Sequence, residues 1–226
     1  MPHYRPVDAQ EIPRYSGIRT FGRLPHVQDL DGVDVAVVGI PFDSATTFAA
    51  GTRFGPASVR EYSLMLKTYN PALDVQVYDH LSVVDYGDLA TVPGYIDDSF
   101  NRITSGIRTI LDAGVIPVAI GGDHSITLPQ LRAFHQVYGP IALLQFDAHP
   151  DTWDTYFGQK YTHGTPFRRA IEDIEGSYAI AAVFSATPPR SSPMCCCCSW
   201  SWSGSTRCWP RTPGVSSPSL VTIGCS

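Results

Sequence analysis

The chain has 226 residues, is 43% hydrophobic and carries a formal net charge of −5 at pH 7. These values suit a globular protein of one large or two small domains, disfavour nucleic acid as a partner and permit a cationic substrate. Because no apolar run is long enough to cross a bilayer and the first residues lack a signal-peptide core, we expect a cytoplasmic protein that does not contact a membrane.

The hydrophobic pattern predicts strands that alternate with helices. Short runs typical of buried parallel strands lie at 33–40, 81–85, 115–120, 141–146 and 178–184. Helical patterns lie at 56–65, 98–113 and 127–137, the second ending at Gly114 and the third opening with capping-box spacing. This alternation implies a mainly parallel sheet covered on both faces, and sites in such sheets form beyond the carboxyl ends of the strands.

The composition changes after residue 184. Residues 185–226 contain no Asp, Glu, Lys or His and hold all six cysteines, four of them consecutive at 195–198. Consecutive cysteines have neither the spacing of a zinc site nor good disulfide geometry. We therefore predict a folded domain over 1–184 and a low-complexity tail over 185–226. The tail is either disordered or, as we favour, the product of a reading-frame error in a GC-rich gene.

Two clusters of imidazole and carboxylate groups follow predicted strands. Asp123 and His124 lie in the sequence GGDHS after the third strand, and Asp147, His149 and Asp151 follow the fourth. Such ligands suit divalent cations including manganese, zinc and iron. If residues 147–151 are extended, their alternate side chains point the same way, whereas in a turn the Asp side chains would hold backbone amides. We predict a site for two cations, with Asp123 orienting ligands or starting a helix rather than binding metal.

Two further segments carry candidate residues. His163 lies in a loop rich in Tyr and Gly and is either a proton shuttle or a surface histidine, which spacing does not distinguish. The segment GTRFGP at 51–56 precedes a helix and could bind an anion, but it lacks the lysine of a P-loop. The simpler interpretation is a structural loop in which Arg53 forms an ion pair.

The blocks GIPFD, GTRFGP, GGDHS, FDAHPDTWD and THGTPF, in this order, resemble the ureohydrolases, which include arginase, agmatinase and guanidinobutyrase. The resemblance covers about residues 1–175 and is closest to the agmatinase and guanidinobutyrase branch. It implies a three-layer, arginase-like α/β fold with a mainly parallel sheet, truncated after about five strands. It also implies a binuclear manganese site. The metal ligands would be His124, Asp147, His149 and Asp151, and His163 would relay protons near the substrate.

The resemblance further implies hydrolysis of a small guanidino compound to urea and an amine by water activated at the two manganese ions. Agmatine, giving putrescine, is the first expected substrate and 4-guanidinobutanoate the second, in a homotrimer or homohexamer. The family's later S-x-D-x-D-x-x-D-P motif has no counterpart, since no Asp or Glu follows Glu175. An inactive metal-binding fragment is therefore the alternative from another class. A related hydrolase of formimino or acyl-amine substrates is a third possibility.

Overall fold

The structure is a computed structural model that describes residues 3–174 and the backbone of residues 178–183 and 220–223. Its strands are β1 (Val35–Gly39), β2 (Tyr69–Asn70), β3 (Val75–Gln76), β4 (Val83–Asp88), β5 (Ile116–Ile120), β6 (Ala142–Asp147), β7 (Tyr178–Val183) and β8 (Leu220–Ile223). Its α-helices are α1 (Gly55–Ser63), α2 (Ile96–Asp112), α3 (Thr127–Tyr138) and α4 (Pro166–Asp173). Apart from β8, the predicted tail at 185–226 lies outside the described residues.

Two three-stranded parallel sheets form the frame of the molecule. Strand β1 lies between β4 and β5, and strand β6 lies between β7 and β8. The five strands and three helices that the hydrophobic pattern predicts are all present, with ends shifted by a few residues. The β2–β3 hairpin, α4 and β8 are additional elements. Within the part of the chain that the structure describes, no helix has the length and apolarity needed to span a membrane.

The hydrophobic core joins the β4–β1–β5 sheet to helices α2 and α3. Helix α2 buries Ile103, Ile107 and Ile110 along one stripe, at the spacing of an amphipathic helix. Fully buried side chains from the sheet and from α3 complete the core: Ala36, Val38, Val84, Leu128 and Leu131. The core therefore fixes the strand from which the GGDHS sequence emerges.

Apolar side chains on β5 and β6 are exposed in this structure. On β5, the side chains of Ile116 and Val118 are 58% and 45% exposed, and Leu144 on β6 is 38% exposed. Strands of parallel sheets are usually buried on both faces. These apolar positions are therefore available to pack against further protein.

Helix α3 starts differently from the sequence-based expectation. It follows directly from a 3-10 turn at His124–Ile126, whose N-cap is Asp123. The Asp123 carboxylate accepts a hydrogen bond from the Ser125 backbone N–H at 2.9 Å. The capping-box prediction for α3 is wrong, because Thr127 is already inside the helix and no side chain caps the helix there. The helix-start position proposed for Asp123 is the one observed.

Candidate metal centre

Three side chains that can bind a metal ion meet at the carboxyl ends of β5 and β6. One ligand atom from each of His124, Asp147 and Asp151 lies within 4.8 Å of the other two. The Nδ1 atom of His124 is 2.5 Å from Oδ2 of Asp151 and 3.4 Å from Oδ2 of Asp147. All three side chains are largely buried, at 7–13% exposure. One imidazole and two carboxylates in this arrangement can converge on a single divalent cation.

The turn that carries His124 is held against the loop that follows β1. The backbone N–H of Gly122 donates to the Ile40 carbonyl at 3.2 Å, and that of Asp123 donates to the Phe42 carbonyl at 2.8 Å. These bonds extend the pairing of β1 with β5 beyond the strand ends. A Cβ atom at Gly122 would collide with the Phe42 carbonyl oxygen, so this approach of two backbones requires glycine.

We expect Gly122→Ala to lower the free energy of unfolding by about 1–3 kcal/mol, because the added methyl group must push the two loops apart. The same displacement should weaken metal binding through His124. Denaturant unfolding and a manganese titration of the variant measure both effects.

Gly164→Ala is the matched control in the loop before α4. A Cβ atom there would lie 3.7 Å from Cδ1 of Tyr156, which is an ordinary van der Waals contact. We expect this variant to keep wild-type metal binding and to be as stable as the wild type or slightly more stable. Equal stability of the two variants would contradict the steric argument for Gly122.

The loop after β6 does not continue the strand. Oδ1 of Asp147 accepts a hydrogen bond from the His149 backbone N–H at 2.9 Å, and Gln145 Nε2 donates to the His149 carbonyl at 2.9 Å. Asp151 has a positive φ of 45°. The segment is thus the turn that the sequence left open as an alternative to an extended chain. It directs Asp147 and Asp151, but not His149, toward His124.

His149 lies beside this group rather than inside it. Its side chain is 67% exposed, and its Nδ1 atom is 3.8 Å from Oδ1 of Asp147. The two oxygens of Asp147 therefore face different imidazoles, Oδ2 toward His124 and Oδ1 toward His149.

Phe167, at the start of α4, is a residue of the site that the sequence analysis did not identify. Its ring packs edge-on against the imidazole of His124, with 5.3 Å between centroids. Its backbone N–H donates to the Asp151 carbonyl at 3.2 Å, and its side chain is fully buried. One residue of α4 thus contacts both loops of the candidate centre. An apolar residue near a helix start is too common for sequence to single it out.

Asp123 does not belong to the group of three. Its Oδ1 atom accepts hydrogen bonds from the Ser125 backbone and hydroxyl, and its Oδ2 atom accepts one from the Ala45 backbone N–H at 3.0 Å. Burial raises the pKa of Asp123, and these hydrogen bonds oppose the increase. Both carboxylate oxygens are therefore engaged with protein groups. This arrangement suits a residue that fixes the position of His124.

His163 is not one of the three convergent ligand residues, and it is half-buried. Its Nδ1 atom is 3.0 Å from the carbonyl oxygen of Ala45. Because a carbonyl oxygen can only accept a hydrogen bond, we assign the ring proton to Nδ1, which leaves Nε2 as the acceptor in the neutral imidazole. An imidazole held in this tautomer has a defined atom for proton transfer.

The segment 51–56 behaves as the simpler interpretation predicts. Arg53 forms an ion pair with Asp43, whose side chain is completely buried. The predicted ion pair is confirmed, although residues 52–54 form a 3-10 helix that leads into α1, and Asp43 is the partner that the sequence did not identify.

Comparison with known proteins shows what the chain is similar to. A model of the family described as the arginase family matches residues 33–187. A guanidinobutyrase of Pseudomonas aeruginosa is 43% identical over 173 residues, which are 75% of this chain and 54% of that protein. A guanidinopropionase of the same organism is 45% identical over 172 residues, which are 76% of this chain and 54% of the relative.

The fold of this chain is also similar to that of a solved structure. The crystal structure of a hypothetical agmatinase from Burkholderia thailandensis superposes with a TM-score of 0.70 at 38% identity. The match covers 77% of this chain and 57% of the other. The chain thus spans about half the length of the curated relatives it matches.

Proposed function

The chain belongs to the arginase family, and we propose that the complete protein hydrolyses a guanidino compound to urea and an amine at a binuclear manganese centre. This chain would supply His124, Asp147, His149 and Asp151 to that centre. The observation that carries the proposal is the convergence of ligand atoms from His124, Asp147 and Asp151 within 4.8 Å of one another. Those residues lie at or just after the carboxyl ends of β5 and β6.

The donor set fits the proposed metal. Manganese accepts imidazole nitrogen and carboxylate oxygen, and a site rich in carboxylates favours such harder ions. His124, Asp147 and Asp151 would hold one ion. Asp147 and His149 would contribute to a second ion, and the contact between the other Asp147 oxygen and that imidazole supports this assignment. Bound metal lowers the pKa of a coordinated water, so that a nucleophile forms near neutral pH.

The protein's own groups would supply the remaining functions. The nearby carboxylates favour a cationic guanidinium over a neutral substrate. His163 would accept or donate a proton at Nε2 while its Nδ1–H stays bonded to the Ala45 carbonyl. Asp123 would hold the turn that presents His124.

For the substrate we propose a linear guanidino compound. Agmatine, giving putrescine and urea, remains the first choice, and similarity to the structure of a hypothetical agmatinase supports it. The guanidinobutyrase name of a relative supports 4-guanidinobutanoate as the second choice. Assay of both compounds, with the amine product identified by mass, distinguishes the two and would also reveal a formimino or acyl-amine hydrolase.

The alternative is a metal-binding fragment without activity. It rests on the absence of any Asp or Glu after Glu175, which leaves the chain without the family's later carboxylates. We keep the frame error over 185–226 as a proposal, and the nucleotide sequence downstream of the Glu175 codon tests it. An uninterrupted frame that encodes the present tail would remove this explanation.

We expect a chimera that joins residues 1–184 to the corresponding C-terminal part of the P. aeruginosa guanidinobutyrase to release urea in the presence of manganese. The 226-residue chain itself should bind manganese but hydrolyse the substrate far more slowly than the chimera, because part of the ligand set is missing. A colorimetric urea assay on both proteins measures this difference. Sedimentation of the chimera tests the proposed trimer or hexamer.

Two outcomes would change the proposal. A folded chimera that binds manganese but releases no urea from either substrate would contradict the guanidino hydrolase function. Turnover by the 226-residue chain alone would instead eliminate the inactive fragment.

A further inference from the structure

The loop after β1, residues 43–53, is closed at its two ends by one side-chain pair. The buried Asp43 carboxylate accepts hydrogen bonds from the Gly51 backbone at 2.6 Å, from the Arg53 backbone at 3.2 Å and from Arg53 Nε at 2.5 Å. The Arg53 side chain holds the pKa of Asp43 below its usual range, burial opposes this, and the two backbone bonds add to it. Asp43 is thus an ionised anchor for the far end of the loop.

Core packing does little to fix the path of this loop. Residues 48–50 are exposed, and the ring of Phe48 has no protection from solvent. Ala45 is the exception, because it is 7% exposed. The pair formed by Asp43 and Arg53 therefore restrains the exposed part of the loop, and Ala45 is held in addition by the core and by its own backbone hydrogen bonds to Asp123 and His163.

Ala45 connects two residues of the proposed site through its backbone. Its N–H donates to Oδ2 of Asp123 at 3.0 Å, and its carbonyl accepts from Nδ1 of His163 at 3.0 Å. Asp123 immediately precedes the candidate ligand His124, and His163 is the proposed proton carrier. A shift of this one peptide segment would disturb both.

We propose that Arg53 is a positioning residue: by closing the 43–53 loop on Asp43, it keeps the Ala45 carbonyl against Nδ1 of His163 and so fixes the His163 tautomer. An unrestrained neutral imidazole exchanges its proton between the two nitrogens, and only the Nδ1–H form leaves Nε2 free to accept a proton. The inference rests on the proposed function, in which His163 carries that proton.

The test locates the ring proton in the full 226-residue chain labelled with ¹⁵N-histidine. Long-range nitrogen–proton correlation spectra at alkaline pH, where imidazoles are neutral, report which nitrogen of His163 carries the proton. His163→Gln assigns the signals. We expect the Nδ1–H form in the wild type. In Arg53→Ala its ratio to the Nε2–H form should fall by roughly 2- to 12-fold, the value of one hydrogen bond.

The chain offers two matched controls. Nδ1 of His135 lies 2.9 Å from the Gly139 carbonyl at the end of α3, so the same kind of bond occurs away from the 43–53 loop. Its tautomer should not change in Arg53→Ala. Arg108→Ala removes an exposed arginine that pairs with Asp112 on α2, and it should leave His163 unchanged.

Two results would overturn the inference: a wild-type His163 with its proton on Nε2, or an unchanged tautomer ratio in a folded Arg53→Ala variant. If Arg53→Ala does not fold, Arg53→Lys takes its place, because it keeps the charge but loses the guanidinium fork. A smaller shift in the same direction would then support the inference, and no shift would overturn it. Since the measurement does not depend on turnover, an inactive chimera would count against the proposed function alone.

Discussion

Asp147→Asn should remove tight manganese binding from this chain. Asp147 contributes one of the three convergent ligand groups, and each of its two oxygens faces a different imidazole. The loss should exceed the roughly 10- to 100-fold reduction in affinity that follows removal of a group supporting a metal ligand. Asparagine keeps the shape of the side chain, and its oxygen can still accept the His149 N–H, so the turn should persist. Calorimetric titration with Mn²⁺ measures the change.

Asp112→Asn is the control for this experiment. Asp112 is an exposed carboxylate on α2 whose partner is Arg108, and it has no contact with the candidate centre. Its replacement removes the same charge but should leave the affinity for manganese unchanged. His124→Ala should repeat the loss seen with Asp147→Asn. If Asp147→Asn binds manganese as tightly as the wild type, Asp147 is not a ligand and the proposed centre is wrong.

The position of this site in the fold could be predicted from sequence because two simple rules act together. Short apolar runs before the GGDHS and DAHPD sequences predict buried parallel strands. Strands β5 and β6 confirm the predicted positions, although alternate side chains along them are exposed. The carboxyl ends of such strands are where sites form. These rules predict that His124 and Asp147 lie close together before any of their contacts is known.

The same rules do not determine the local path of the chain after a strand ends. Spacing at 147–151 is compatible with an extended segment and with a turn. The hydrogen bond from the His149 N–H to Asp147 decides for the turn, and it leaves His149 exposed. Competition between a side chain and the backbone for the same N–H cannot be read from residue order alone.

Contacts made by backbone groups are even less visible in the sequence. Ala45 connects Asp123 to His163 through its N–H and carbonyl, which every residue except proline also possesses. Nothing in the identity of an alanine signals that role. The sequence predicted an ion pair for Arg53, but its partner Asp43 is set by the fold.

Arg60→Met should lower the free energy of unfolding by about 3–5 kcal/mol, because it leaves a buried carboxylate without its partner. Arg60 lies on α1 and forms two hydrogen bonds with Asp85 on β4, at 2.8 and 3.0 Å, and one with Asp88 at 2.6 Å. The Asp85 side chain is 1% exposed. Urea denaturation at neutral pH measures the loss.

The pH dependence of this loss identifies its cause. Burial acts to raise the pKa of Asp85, but hydrogen bonds from Arg60 and from two backbone N–H groups outweigh burial and lower the pKa. A carboxyl group with a lowered folded-state pKa stabilises the protein above its unfolded pKa of about 3.9, and this stability is lost as the pH falls through the folded value. The difference between wild type and Arg60→Met should therefore shrink in acid.

Arg108→Met provides the comparison, since Arg108 pairs with Asp112 four residues later on the exposed face of α2. An exposed pair of this kind contributes only about 0.3–0.5 kcal/mol, so its loss should be small at every pH. If Arg60→Met is no more destabilising than Arg108→Met, the contact between α1 and β4 does not depend on this ion pair. A large loss would instead show that this ion pair holds α1 against β4.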